Sequence, residues 1–134
     1  MAHIKRLNEM AEWAHSKETF GVLAGTLMQS VVECWKVHLL TGSFANHDAL
    51  AEYQASMMKD ADSLIEDYIS IYGKDGLEFI NTLKCEEPIA YATALKEMAL
   101  KYRAVFDGEP TIASKIDDVL GTIGTLLYKL KNLS

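Results

Sequence analysis

Apolar residues recur with a helical period between a few widely spaced breakers: Gly42, Gly73, Pro88, Gly108 and Pro110. Side chains three and four apart share one face of an α-helix, so this period predicts an amphipathic helix in each segment. Over residues 2–16, Ile4, Leu7, Ala11 and Ala14 form a thin stripe. Over 19–41 the stripe is broad, comprising Phe20, Leu23, Ala24, Leu27, Val31, Cys34, Trp35 and His38, with Gln29, Glu33 and Lys36 opposite. Thr19 is placed to cap this helix and Gly42 to end it in a left-handed conformation. Over 46–72, Leu50, Tyr53, Met57, Ala61, Leu64, Tyr68 and Ile71 line one face. Asn46 is the expected cap there, Asp48 complements the positive end of the helix dipole, and Gly73 stops the helix.

Asp75-Gly76-Leu77-Glu78 has the spacing of a capping box with Asp in the leading place, which predicts a short helix over 76–84. Pro88 suits the first position of the next helix, where its missing N–H costs nothing. That helix carries Tyr91, Leu95, Met98, Ala99, Tyr102 and Phe106 on one face and stops at Asp107-Gly108. The last begins near Pro110 or Thr111 and has the cleanest stripe: Ile112, Ile116, Val119, Leu120, Ile123, Leu127 and Leu130. Lys129 and Lys131 favour its negative C-terminal end. No segment alternates with period two. The expected fold is all-α: an antiparallel up-down bundle of four long helices, with an N-terminal helix and one short connecting helix, in a single domain over 1–134.

Composition narrows the class. The chain has 134 residues, of which 49% are apolar and 24% charged, with eight Gly and two Pro, so neither disorder nor low complexity applies. Two cysteines are too few for a disulfide scaffold. A net charge of −6 opposes coating of a nucleic acid, which needs a basic face to displace counterions. Asn8, Glu9 and Glu12 interrupt any leader-like apolar run, and no stretch approaches the roughly 20 apolar residues of a membrane span. A soluble, cytoplasmic protein with reduced Cys34 and Cys85 is expected, with neither nucleic acid nor membrane as partner.

Candidate chemistry is sparse and each motif is half of a site. Glu12 and His15 make one E-x-x-H step, whereas ferritin-like di-iron sites use two. Cys34 and His38 share a helix face at a spacing that can chelate a soft cation, but structural zinc needs four ligands. His47-Asp48 is the dipeptide of HD phosphohydrolases, and the match ends there. His15-Ser16-Lys17 lacks the one-turn histidine–lysine spacing of phosphotransfer bundles. Glu9/Glu12 supplies only the first E-x-x-E step used by all-α nucleotide pyrophosphohydrolases. The acids Asp60, Asp62, Glu66, Asp67, Glu86, Glu87, Asp117 and Asp118 otherwise read as solvated faces. No catalytic residue, metal ligand or cofactor is therefore assigned. Gly21/Gly25 and Gly121/Gly124 stand in helix interiors, where each glycine costs about 0.8–1.0 kcal/mol against alanine. Close backbone approach or a kink would justify that cost; drift on a tolerant surface is the alternative, and Gly25, near the polar side of its helix, suits it equally well.

The expected function is a non-catalytic helical interaction or regulatory module acting as a homodimer or on a protein partner. Trp13, with Glu9 and Glu12 beside it and Leu40 and Phe44 bracketing Gly42, forms the expected contact surface, rimmed further by Asp60 and Asp67. Val22, Met58 and Ile89 are the other apolar residues the stripes leave uncovered. The alternatives are a ligand-binding bundle with a pocket lined by Tyr53, Tyr68, Tyr72, Tyr91 and Tyr102, and a metal-assisted hydrolase.

Overall fold

The computed structural model describes residues 17–133, which fold as four α-helices among the described residues: α1 Lys17–Leu40, α2 Phe44–Tyr72, α3 Pro88–Val105 and α4 Pro110–Asn132. No described helix is long and apolar enough to cross a membrane. The expected N-terminal helix, with Glu9, Glu12, Trp13 and His15, lies outside the described residues.

Local chemistry accounts for most boundaries. Ser43 caps α2, its hydroxyl accepting from the Asn46 amide at 3.2 Å. The cap is thus Ser43 rather than Asn46, which sits inside the first turn. Gly73 ends α2 at φ 81°, its amide returning to the Ile69 carbonyl at 2.7 Å. Glu87 caps α3, its carboxylate taking the Ile89 and Ala90 amides at 3.0 and 2.7 Å, with Pro88 at the first helical position. Pro110 likewise opens α4, where Glu109 makes no side-chain cap. Two expectations fail at α1. Thr19 lies within the helix, and its carbonyl accepts the Tyr102 hydroxyl at 2.5 Å. Gly42 does not adopt positive φ, the described glycines that do being Gly73 and Gly76.

The helices pack around one core: α1 on α2, α2 on α4, α4 on α3, and α3 more lightly on α1. Phe20 stacks on Tyr68 with centroids 3.6 Å apart, and Phe106 stands edge-on to both at 6.4 Å. Quadrupole electrostatics favour the edge-on pairs. Leu27, Met57, Leu64, Leu95, Ile116 and Ile123 continue the core along the bundle. Tyr53, Tyr68, Tyr91 and Tyr102 are buried there. The Tyr53 hydroxyl pairs with that of Ser30 at 2.7 Å, so both polar groups are matched inside the core.

The short helix expected over 76–84 is absent. Lys74 to Leu77 form a turn closed at 3.1 Å, with Gly76 at φ 82° in its third place, where a type II turn requires positive φ. The chain beyond is an extended strap laid along α1. Its Ile80 amide donates to the Gly21 carbonyl at 3.0 Å, its Thr82 amide to Thr26 Oγ1 at 3.1 Å, and its Cys85 amide to Glu33 Oε1 at 3.3 Å. Leu77, Leu83 and Cys85 pack inward against the core. Glu33, expected on the polar side of its helix, is instead 6% exposed beneath the strap, with Lys36 on its other oxygen at 3.0 Å.

Gly21 and Gly25 make this contact possible. A Cβ at Gly21 would stand 1.8 Å from the Glu78 carbonyl oxygen, and one at Gly25 would stand 2.2 Å from the Ile80 nitrogen. Both neighbours are backbone and cannot swing aside. Gly121 and Gly124 differ, since a Cβ there meets nothing within 4 Å. Gly25→Ala should therefore lower folding stability by about 1–3 kcal/mol through overpacking. Gly124→Ala should raise it by up to about 1 kcal/mol through helix propensity. Urea denaturation of the two variants checks this opposite pair of signs.

Candidate functional site

α1 is apolar around most of its circumference, and its neighbours cover only part of it. α2 covers one side; the strap and α3 cover another. The uncovered row is Met28, Val32, Trp35 and Leu39, all exposed, at spacings of four, three and four residues. These spacings place the row on one helix face. Trp35, expected in the buried stripe, is 47% exposed. On α2 the row is bordered by Met58, 66% exposed, and by the small side chain of Ala55. Between the two helices runs a groove of about 680 Å3, with Val31 and Ile65 along its apolar lining and Lys59 and Asp62 as its charged residues.

Two more exposed apolar residues stand at the junction of α1 and α2. Leu40 is 86% exposed and Phe44 80% exposed, on either side of the turn through Gly42. His38 and His47 clasp this corner. Their rings stack at 3.7 Å, and Nδ1 of each bonds the other's backbone carbonyl, at 2.8 and 3.0 Å. A carbonyl only accepts, so both Nδ1 atoms carry hydrogen. Val22 and Ile89 are half-buried.

The other candidate residues do not converge on a reacting centre. Cys34 is buried in the core while His38 turns to His47, so these two do not face a common ion. Among the described residues no group of three or more His, Cys, Asp or Glu side chains is placed to hold a metal. A second groove, of about 690 Å3, lies between α2 and α4 and is lined by polar residues including Ser56, Lys59, Asp60, Asp118 and Thr125. Much of its charge is already engaged between helices. Asp60 accepts from the Thr122 hydroxyl, Glu52 pairs with Lys129, and Asp67 meets Lys115 at 3.9 Å. Asp60 and Asp67 thus lie against α4 and do not rim the apolar row. Asp117 is held by Arg103 at 2.8 Å, which also reaches Asp107 at 2.9 Å.

A family model described as a family of unknown function, DUF5856, matches residues 38–130. The chain belongs to this family. No curated protein and no solved structure matches it. The DUF5856 match takes in α2, the strap, α3 and nearly all of α4, and begins at His38, so Met28, Val32 and Trp35 precede it. The available signal for the row in the sequence was an excess: α1 has more apolar residues than one buried stripe can use.

The thiols are protected. Burial, then the neighbouring Cys85 and Glu33, push the Cys34 thiol up to about 12, and burial with Glu33 and Glu87 pushes Cys85 up to about 11. Burial also raises Tyr68 and Tyr102 to about 12. These groups are held neutral by folding, so unfolded chains lose their protons first as pH rises. Stability from this source is whole below the ordinary thiol value near 9 and is lost progressively between about pH 9 and pH 12. Urea midpoints should accordingly hold level from pH 7 to 9 and fall above, with a smaller fall in Cys34→Ala.

Proposed function

We propose that this protein is a non-catalytic helical module that works by protein–protein contact, beginning with association between copies of itself. The observation that carries this reading is the uncovered apolar row on α1 beside the α1–α2 groove. Large apolar side chains aligned along one helix and bordered by a groove are unusual on a monomer, and such patches mark interaction surfaces. Tryptophan is the residue type most enriched among those that dominate binding energy, and Trp35 sits at the middle of the row. Leu40 and Phe44, exposed at the α1–α2 junction, are further contact residues in this reading.

The scaffold under this surface is read as one domain, a bundle whose neighbouring helices run antiparallel. Pairings along the helices support that arrangement. On α1 and α2, Phe20 meets Tyr68, Ser30 meets Tyr53 and His38 meets His47. On α2 and α4, Asp67 meets Lys115, Asp60 meets Thr122 and Glu52 meets Lys129. The strap then carries the chain back along the bundle before α3. A reducing, cytoplasmic setting is consistent with Cys34 and Cys85 both standing as free thiols. Trp13, Glu9 and Glu12 remain candidates for the same contact.

Light scattering at micromolar concentrations tests the reading. The wild-type chain should exceed its monomer mass of 14.9 kDa, and Met28→Glu/Val32→Glu should return it to that mass. Because both sites are exposed, the double variant should change folding stability by no more than about 0.5 kcal/mol per substitution. A wild-type mass of one chain across the whole range removes self-association as the function.

A further inference from the structure

We infer that two copies of this chain pair through the α1 row, with the helices antiparallel about a two-fold axis passing between Val32 and Trp35. This rests on the interaction-module reading and gives it a partner and a register. The spacing of the row reads the same in both directions: four, three, four. In an antiparallel pair centred on it, Met28 faces Leu39 of the other copy and Val32 faces Trp35 of the other copy, and the same contacts recur on the far side of the axis. Every member of the row then has an apolar partner. A two-fold interface requires this self-complementarity, because the same patch must serve both sides.

The surroundings fit this occupant. Trp35 stands opposite Val32, which borders the α1–α2 groove, and Ala55 leaves that groove room for an indole ring. Met28 and Leu39 are eleven residue steps apart on the helix, so the seam is about 17 Å long at 1.5 Å per residue. Charge also permits the pairing. The chain carries −6 overall, yet the groove's charged residues are Lys59 and Asp62, one of each sign. On α1 the nearest charge is Lys36, bound to the buried Glu33. Asp60, Asp67 and Glu52 are turned toward α4. Two like-charged molecules can therefore meet on this face without bringing their acidic surfaces together.

Disulfide trapping reads the register directly. In a Cys85→Ser background, Met28→Cys/Leu39→Cys is oxidised mildly and run on a non-reducing gel beside Met28→Cys alone. The double variant should convert most of the chain to covalent dimer, and the single variant less than a tenth of that, because position 28 faces 39 and not itself. Trp35→Glu should be monomeric by light scattering with an unchanged circular-dichroism melt. If Met28→Cys alone links as well as the double variant, or if Trp35→Glu stays dimeric, this pairing is wrong while self-association stands. A monomeric wild type overturns both, and leaves the row to a different protein or to residues 1–16 of the same chain.

Discussion

The contact on which this fold depends is backbone against backbone: the strap lying on α1 at Gly21 and Gly25. A helix ordinarily holds its neighbours off by the thickness of a side chain. Here two missing side chains let an extended segment reach the helix's own carbonyl at Gly21. Thr26 and Glu33 then supply acceptors for the Thr82 and Cys85 amides, so a stretch without secondary structure is tied to the helix at three points. Once seated, the strap fixes where α3 begins. Tyr102 can then close on Thr19, and Phe106 can complete the aromatic cluster with Phe20 and Tyr68. The glycines weaken α1 as an isolated helix, and the closer packing they permit offsets that loss.

What was legible in the sequence was local. Gly73, Pro88 and Pro110 act on their own backbone torsions, and the helix boundaries they imply match the structure. The stripes of α2, α3 and α4 were legible because each helix has a polar side to contrast with its core side, although Ile71 on α2 remains exposed. The strap was not legible, because Asp75-Gly76 serves a helix start and a tight turn equally well at the level of spacing. The choice is made by glycines more than 50 residues earlier. Trp35 was misplaced for a related reason. α1 is apolar nearly all round, so periodicity cannot say which side a neighbour will cover. Glu33 was misplaced because its burial depends on the strap.

The candidate surface arises from the same property of α1. Three neighbours cannot enclose a helix with apolar residues on every side, and what they leave is a row ready for a fourth. The acidic residues contribute elsewhere, as Asp60, Asp67 and Glu52 join α2 to α4 rather than forming a reaction centre. An acid-rich bundle is thereby reconciled with an absence of convergent catalytic groups among the described residues.

The order of elements along the chain also governs how the protein is made. α1 is synthesised ahead of α2, the strap and α3, which pack against it. α2 follows directly, but the strap and α3 emerge only after a further stretch of translation, on the order of 2–7 s at about 5–20 residues per second. Through that interval the most apolar of the described helices has α2 alone packed against it. A ribosome-bound chain at this stage presents apolar side chains that the finished fold covers, together with the row that stays open in it. The nascent protein is consequently a stronger substrate for holding chaperones than the mature one, and its exposure to misassembly is set by translation rate as much as by equilibrium stability.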